Sequence, residues 1–188
     1  MEKKEHKEGI QLVPMGIIYF VLFLIVWFVD QKYKIIAYQN YQEEIVLNWS
    51  RDIIFCILLA SIVIVFSQVL GSLSKLFHNL EQLFQEILGD LSLQDIFFIA
   101  AFSAVCEEYF FRGLLQYYLG LLPASLMFGL LHSGPSKRFL PWTIFATIMG
   151  FILGSLYISF DNIFIPIGVH FLINFINLCL MQHKKMSH

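Results

Sequence analysis

Long apolar runs separated by short polar breaks are the feature that most restricts how this chain can fold. Of its 188 residues, 58% are hydrophobic and only 14% are charged, and the mean hydropathy is +0.71. A soluble domain carries roughly a quarter charged residues. A bilayer admits segments that satisfy their own backbone hydrogen bonds, chiefly helices of about 20 apolar residues. The sequence therefore predicts an all-α fold, a polytopic transmembrane helix bundle.

About six stretches are apolar enough to be candidate spanning helices, although the fourth is short for a full crossing. Residues Leu121–Pro123 predict a tight turn after the third stretch, and the Gly134-Pro135 pair ends the fourth because proline cannot continue a helix. Asp161 and Asn162 predict the turn before the sixth. The candidate spans are Pro14–Val29, Asp52–Leu70, Leu93–Tyr117, Leu122–His132, Pro141–Ser159 and Ile163–Met181.

The segment between the second and third candidate spans has the pattern of an amphipathic helix. Apolar residues recur at spacings of three and four from Leu73 to Leu88. Such a helix lies on the membrane surface, packs across the mouth of the bundle, or is an ordinary cytoplasmic helix. Ser92, just before the third span, is a residue type that favours a helix start.

Charge places the chain in a membrane and gives it an orientation. With six spans both chain ends lie on the same side, and the basic residues of short loops are more numerous there, which favours both termini in the cytoplasm. We expect a multi-pass protein of the plasma membrane. The net charge of −2 gives no reason to expect a nucleic-acid partner. Membrane lipid is the expected surrounding partner.

Cysteine and tryptophan positions suggest structural roles. Each cysteine lies in an apolar run and none has C-x-x-C spacing, so we expect buried thiols rather than disulfides. These residues are Cys56, Cys106 and Cys179. The three tryptophans, Trp27, Trp49 and Trp142, are predicted to be anchors at the membrane interface.

Two adjacent glutamates, Glu107 and Glu108, lie inside the third apolar span. A charged side chain at membrane depth costs about 3 kcal/mol or more, so each such residue is a candidate for function or for pairing. Glu108 and Arg112 are four residues apart, so they share a helix face and can form an ion pair. Two interpretations follow: a neutralised pair that locks helices together, or a catalytic carboxylate within the bilayer.

The two following polar pairs have the same four-residue spacing. His132 follows Phe128 on the fourth span, and Asn174 follows His170 on the sixth. Residues four apart lie on one face of a helix. The spacing therefore predicts that each helix directs one polar stripe toward the centre of the bundle.

In order along the chain, these residues form the motifs E-E-x-x-x-R, F-x-x-x-H and H-x-x-x-N, between Glu107 and Asn174. The set resembles the CPBP family, also called the Abi family. That family comprises CAAX prenyl proteases of type II together with bacteriocin-processing and bacteriocin-immunity proteins. The resemblance covers about residues 92–178, and the first ninety residues contribute little to it.

The resemblance implies an intramembrane endopeptidase acting on a membrane-associated, prenylated or leader-bearing peptide substrate. It implies that Glu107 is the general base, with His132 sharing or orienting the attacking water, while Arg112 holds Glu108. His170 and Asn174 would donate hydrogen bonds to the oxyanion. The implied catalytic residues are Glu107, Glu108, Arg112, His132, His170 and Asn174.

The resemblance also divides the chain. Residues 1–13 form an N-terminal tail, 14–92 two spans and the amphipathic connector, 93–181 the catalytic membrane core, and 182–188 a C-terminal tail.

Three alternatives stay open. Glu107, His132 and His170 could instead bind Zn²⁺, which would make the protein a metalloprotease; the H-E-x-x-H spacing is absent, and we favour the metal-free glutamate mechanism slightly. A non-catalytic bacteriocin-immunity or scaffold protein of the same family would use the cavity to bind a partner. A channel or ion-coupled transporter is disfavoured because the sequence has no inverted repeat.

Overall fold

The computed structural model of the protein describes residues 12–33 and 49–186, with side chains for residues 16–30 and 49–186. Within these ranges the chain forms helices and no strand, so the all-α prediction is confirmed. The predicted N-terminal tail lies outside the described residues, apart from Leu12 and Val13 at the start of the first helix. The predicted C-terminal tail is helical from Gln182 to Met186.

The described helices follow one another with short connections. They are α1 Leu12–Tyr33, α2 Trp49–Leu73, α3 Lys75–Leu88, α4 Leu93–Glu108, a π-helical segment Tyr109–Leu115, α5 Gln116–Leu119, α6 Leu121–Leu131, a 3₁₀ turn Lys137–Phe139, α7 Leu140–Phe160 and α8 Phe164–Met186.

Three of the described helices are each long and apolar enough to cross a membrane: α2, α7 with its 3₁₀ turn, and α8. A fourth span results if α3 and Leu93–Leu119, bent by 109°, count as one. Helix α6 has 11 residues, which span about 17 Å, whereas the hydrocarbon core is about 30 Å thick. The prediction of six spans is therefore not confirmed in the described part of the chain.

The predicted amphipathic helix is present as α3, and it packs against the bundle. Leu80 and Leu83 are buried, and the Phe84 ring contacts the rings of Phe139 and Trp142. Helix α3 also contacts α2, α7 and α8. Of the three placements that the sequence left open, the structure has the helix packed across one end of the bundle.

The predicted helix start at Ser92 is confirmed by a capping box. The Asp95 backbone N–H donates to Ser92 Oγ at 3.2 Å, and the Ser92 N–H donates to Asp95 Oδ2 at 2.9 Å. These two bonds satisfy groups that a helix N-terminus leaves without partners. The cap therefore fixes where α4 begins.

The turn after the third predicted span lies at Gly120 rather than at Leu121–Pro123. Gly120 has φ +81°, a backbone conformation that glycine adopts without a steric cost. Pro123 lies in the first turn of α6, where its missing N–H would have no helical acceptor. The later turn is where it was predicted, since Asp161 ends α7 with φ +45°.

Helices α6 and α7 approach closely at two glycines. A Cβ atom at Gly129 would lie 1.8 Å from Thr147 Oγ1, and one at Gly150 would lie 3.0 Å from the Ser125 carbonyl oxygen. Small residues at such contacts let membrane helices pack backbone to backbone. This contact holds α7, which lines the candidate site, against α6, the helix that His132 follows.

We expect Gly129→Ala to lower the free energy of unfolding by about 1–3 kcal/mol, because the new methyl group overlaps Thr147. Unfolding of purified protein in detergent would measure the loss. Gly16→Ala on α1 is the matched control, since no atom lies within 4 Å of its Cβ position. Equal stability of the two variants would contradict the close contact.

Candidate active site

Glu108 is fully buried and bound by cationic or titratable groups from two helical segments. Its Oε2 lies 3.0 Å from Arg112 Nε, and its Oε1 lies 2.8 Å from His170 Nδ1. The exposed fraction of the Glu108 side chain is 0% and that of Arg112 is 2%. The carboxylate therefore joins the π-helical segment to α8 inside the bundle.

Arg112 also fixes α7. Its Nη2 donates to the Gly150 carbonyl oxygen at 3.2 Å, and its guanidinium carbon lies 4.7 Å from the centre of the Phe128 ring. A cation over an aromatic face is favourable, the more so when both groups are desolvated. Arg112 therefore contacts α6, α7 and the Glu108 carboxylate together.

Glu107 lies on another side of α4 and faces His132. Glu107 Oε2 is 3.5 Å from His132 Nε2, longer than the usual distance for a direct hydrogen bond. Glu107 is 7% exposed, and its Oε2 has no hydrogen-bond partner within the described residues. A buried carboxylate oxygen and an imidazole nitrogen thus face one another across a short gap.

The ring of His132 is held from two sides. Its Nδ1 lies 2.6 Å from the Phe128 carbonyl oxygen and donates to it, because a carbonyl only accepts. The neutral ring then has an unprotonated Nε2 toward Glu107. The Phe128 ring lies 4.5 Å and the Trp142 ring 5.5 Å from the imidazole, centroid to centroid.

Asn174 and Tyr19 complete the surroundings of Glu107. Asn174 Nδ2 donates to Ser103 Oγ at 3.0 Å, and Ser103 lies one helical turn before Glu107. Tyr19 of α1 interacts electrostatically with the Glu107 carboxylate and lies close to Ser103. Polar groups from α1, α4, α6 and α8 therefore meet at one place.

Two cavities adjoin this meeting point. The larger has a volume of about 460 Å³, within the usual range of ligand pockets, and Glu107, His132 and Asn174 line part of its wall. The smaller, of about 20 Å³, lies among His132, His170 and Asn174. A space of that size holds one water molecule or one carbonyl oxygen.

The three side chains of the zinc alternative do not form a ligand set. Nδ1 of His170 is bonded to Glu108, and the described part of the chain contains no group of three His, Cys, Asp or Glu side chains placed to hold a metal ion. Catalytic zinc needs three such protein ligands converging on one point. The donor geometry therefore does not fit Zn²⁺ on Glu107, His132 and His170.

The structure brings all six predicted site residues together, but it pairs them in a way that the spacing did not predict. His170 is hydrogen-bonded to Glu108, whereas Glu107 faces His132. Tyr19 and Ser103 were not predicted at all. A lone tyrosine or serine in an apolar helix has no periodic signal, and Tyr19 comes from the part of the chain that lacked a motif.

The ring of Trp142 contacts His132, Phe84 and Phe145, and it lines the larger cavity. Trp27 and Trp49 are 52% and 59% exposed. The role of the three tryptophans as interfacial anchors stays a prediction. The cysteines are all free, with Cys56 and Cys106 buried, which agrees with the expectation that they form no disulfide.

Residues 89–176, which contain the whole site except Tyr19, match the family model for the type II CAAX prenyl endopeptidases, Rce1-like. This part of the chain is similar to the Rce1-like family. The similarity and the apolar helices indicate an integral membrane protein.

One curated relative is similar to about half of this chain. The uncharacterized protein YpbD of Bacillus subtilis (strain 168) is 36% identical over 102 residues, which cover 54% of this chain and 53% of YpbD. The chain therefore spans about half the length of this relative. No solved structure matches it significantly.

We expect Arg112→Gln to lower the free energy of unfolding by about 3–5 kcal/mol, because Glu108 would keep a buried charge without its main partner. The double variant Glu108→Gln/Arg112→Gln should lose less, since it removes both charges. Denaturant unfolding in detergent would compare them.

Arg138→Gln is the control for that comparison. Arg138 pairs with Glu86 at the surface, and an exposed pair is worth about 1 kcal/mol or less. A loss in Arg112→Gln no larger than in Arg138→Gln would contradict the account of the buried network.

Proposed function

We propose that this protein is an intramembrane endopeptidase that hydrolyses a peptide bond of a membrane-associated substrate. The observation that carries the proposal is the Glu107–His132 gap. A buried carboxylate oxygen and an imidazole nitrogen lie 3.5 Å apart at the wall of a cavity large enough for a peptide. Glu107 Oε2 and the unprotonated His132 Nε2 can both accept hydrogen bonds from one water molecule, and this pair is suited to remove a proton from it.

In the proposed mechanism the water donates its hydrogens toward Glu107 Oε2 and His132 Nε2. One proton passes to this pair as the water oxygen attacks the carbonyl carbon of the substrate. The same proton is then delivered to the leaving amine as the carbon–nitrogen bond breaks. His132 keeps its orientation throughout, because Nδ1 is bonded to the Phe128 carbonyl oxygen.

His170 and Asn174 are the donors that we assign to the oxyanion. Both line the space of about 20 Å³ beside His132. A space of that volume holds one carbonyl oxygen. Glu108 accepts from the Nδ1–H of His170, so Nε2 donates to the oxyanion when the ring also carries a proton on Nε2, as an imidazolium. Preorganised donors of this kind are worth about 3–4 kcal/mol each in acyl transfer.

A plasma-membrane location with both termini cytoplasmic is part of the same proposal. The orientation rests on a count of six spans, which puts both ends on one side, and on the excess of basic residues there. The family supports a peptide or a prenylated protein as the substrate. A bacteriocin-type leader peptide is the alternative substrate. The alternative function is a non-catalytic role in immunity or scaffolding, and the following experiment distinguishes it from catalysis.

We expect Glu107→Gln and His132→Asn to abolish cleavage, lowering it by at least about a hundredfold, since general-base catalysis contributes 10²–10⁴. The measurement is mass spectrometry of new peptide termini in membranes of a host that produces each variant. The parent protein should generate a set of termini that both variants lack.

Glu86→Gln is the matched control, because Glu86 is an exposed glutamate on α3 paired with Arg138. It should yield the same termini as the parent protein at equal expression. Termini that persist in Glu107→Gln would overturn the proposed catalytic role. A cellular phenotype that survives in Glu107→Gln, without any cleavage, would favour the immunity or scaffold function instead.

We also expect cleavage to survive a strong zinc chelator, because His170 is bound to Glu108 and does not converge with Glu107 and His132. Purified protein would be dialysed against 1,10-phenanthroline and then assayed on a substrate found in the termini experiment. Loss of activity that added Zn²⁺ restores would contradict this expectation.

A further inference from the structure

A second polar cluster lies on the wall of the large cavity, where α2 meets α8. Asn177 Oδ1 accepts a hydrogen bond from Gln68 Nε2 at 2.9 Å and is 3.1 Å from Ser67 Oγ. All three residues line the 460 Å³ cavity. The mechanism proposed above uses none of them.

The cluster leaves an amide NH2 group and an amide oxygen available on two residues that line the cavity. Asn177 uses its oxygen within the cluster, and Gln68 uses its nitrogen. Within the described residues, Asn177 Nδ2 has no acceptor and Gln68 Oε1 has no donor. Placing such groups against hydrocarbon costs free energy unless a partner binds them. A hydrocarbon chain offers no partner, whereas each peptide unit offers one C=O and one N–H.

The cluster lies close to the site of cleavage. Asn177 follows Asn174 by three residues on α8, a rise of about 4.5 Å along the helix. Asn174 in turn is bonded to Ser103, one turn from Glu107. An extended peptide advances about 3.3 Å per residue. Backbone groups one or two residues from the scissile bond would therefore reach Asn177.

Much of the rest of the cavity lining is apolar. Helix α3 contributes Phe77, Leu80 and Phe84, and α7 contributes Trp142 and Phe145. The side chains of an extended peptide project perpendicular to its backbone hydrogen bonds, alternately to its two faces. A peptide held by its backbone would therefore place side chains against this lining, which favours apolar ones.

We propose that Gln68 and Asn177 form a subsite that binds the backbone of an extended peptide with apolar side chains, adjacent to the scissile bond. Asn177 Nδ2 donates to a substrate carbonyl, and Gln68 Oε1 accepts from a substrate N–H. The inference rests on the proposed function for the position of the scissile bond. It assigns this polar part of the cavity wall to the peptide part of a substrate.

Tryptophan fluorescence gives a direct measure of binding. The chain has three tryptophans, and only Trp142 lines the cavity, because Trp27 and Trp49 are outward. The starting protein for this experiment carries Trp27→Phe, Trp49→Phe and Glu107→Gln. It keeps Trp142 as the energy donor and would not cleave the bound peptide. The probes are dansyl-Leu-Ala-Val-Leu-Ala-amide and dansyl-labelled farnesyl cysteine methyl ester.

We expect Asn177→Leu to weaken pentapeptide binding to this starting protein by about tenfold, the value of one buried hydrogen bond. Gln68→Leu should have a similar effect. Binding of the farnesyl probe should change by less than about twofold, which would also show that each variant is folded. Gln82→Leu is the matched control, because Gln82 is exposed on α3 and does not line the cavity.

Three results would overturn the subsite. They are a starting protein that does not bind the pentapeptide, an Asn177→Leu variant that binds it as tightly as the starting protein, and equal weakening of both probes. Since binding is measured without turnover, these results are separate from those of the catalytic test. A protein that binds the pentapeptide through Asn177 but generates no new termini would contradict the proposed function alone.

Discussion

The buried charge of Glu108 is the constraint on which the rest of this structure depends. A carboxylate with no exposure is stable inside a membrane bundle only if its partners are fixed around it. Arg112 and His170 provide them, and Arg112 also bonds to the Gly150 carbonyl oxygen. One charge therefore sets the positions of the π-helical segment, α7 and α8. The π-helical turn begins directly after Glu108, as such turns often do at functional sites.

Because the Glu108 carboxylate is bound by Arg112 and His170, the neighbouring Glu107 lies in a different environment. Consecutive helix residues point about 100° apart, so Glu107 turns away from Arg112 toward His132 and the cavity. The first carboxylate is held by an ion pair, and the second faces a titratable ring across 3.5 Å. The bundle geometry thereby gives two adjacent residues of the same type different surroundings, and we propose a structural role for Glu108 and a chemical one for Glu107.

The cavity depends on α3 as much as on the spanning helices. Phe84 of α3 contacts Trp142, and Trp142 contacts the ring of His132. Arg138 and Lys184 form ion pairs with Glu86 and Glu81 of the same helix. The helix that packs across the end of the bundle thus also lines the cavity that the amides of Gln68 and Asn177 line. The proposed substrate cavity and the position of His132 therefore both depend on this helix.

The sequence alone determined the helical class, the helix start at Ser92, the amphipathic α3 and the grouping of Glu108 with Arg112, because each depends on spacing within one segment. It did not determine the number of spans, since Leu121–Leu131 is apolar but too short to cross. Nor did it determine that His170 bonds to Glu108, that Trp142 faces inward, or that Tyr19 and Ser103 border Glu107. These contacts join residues from separate helices, and helix rotation and packing distance are decided only when all the helices bury their polar groups together.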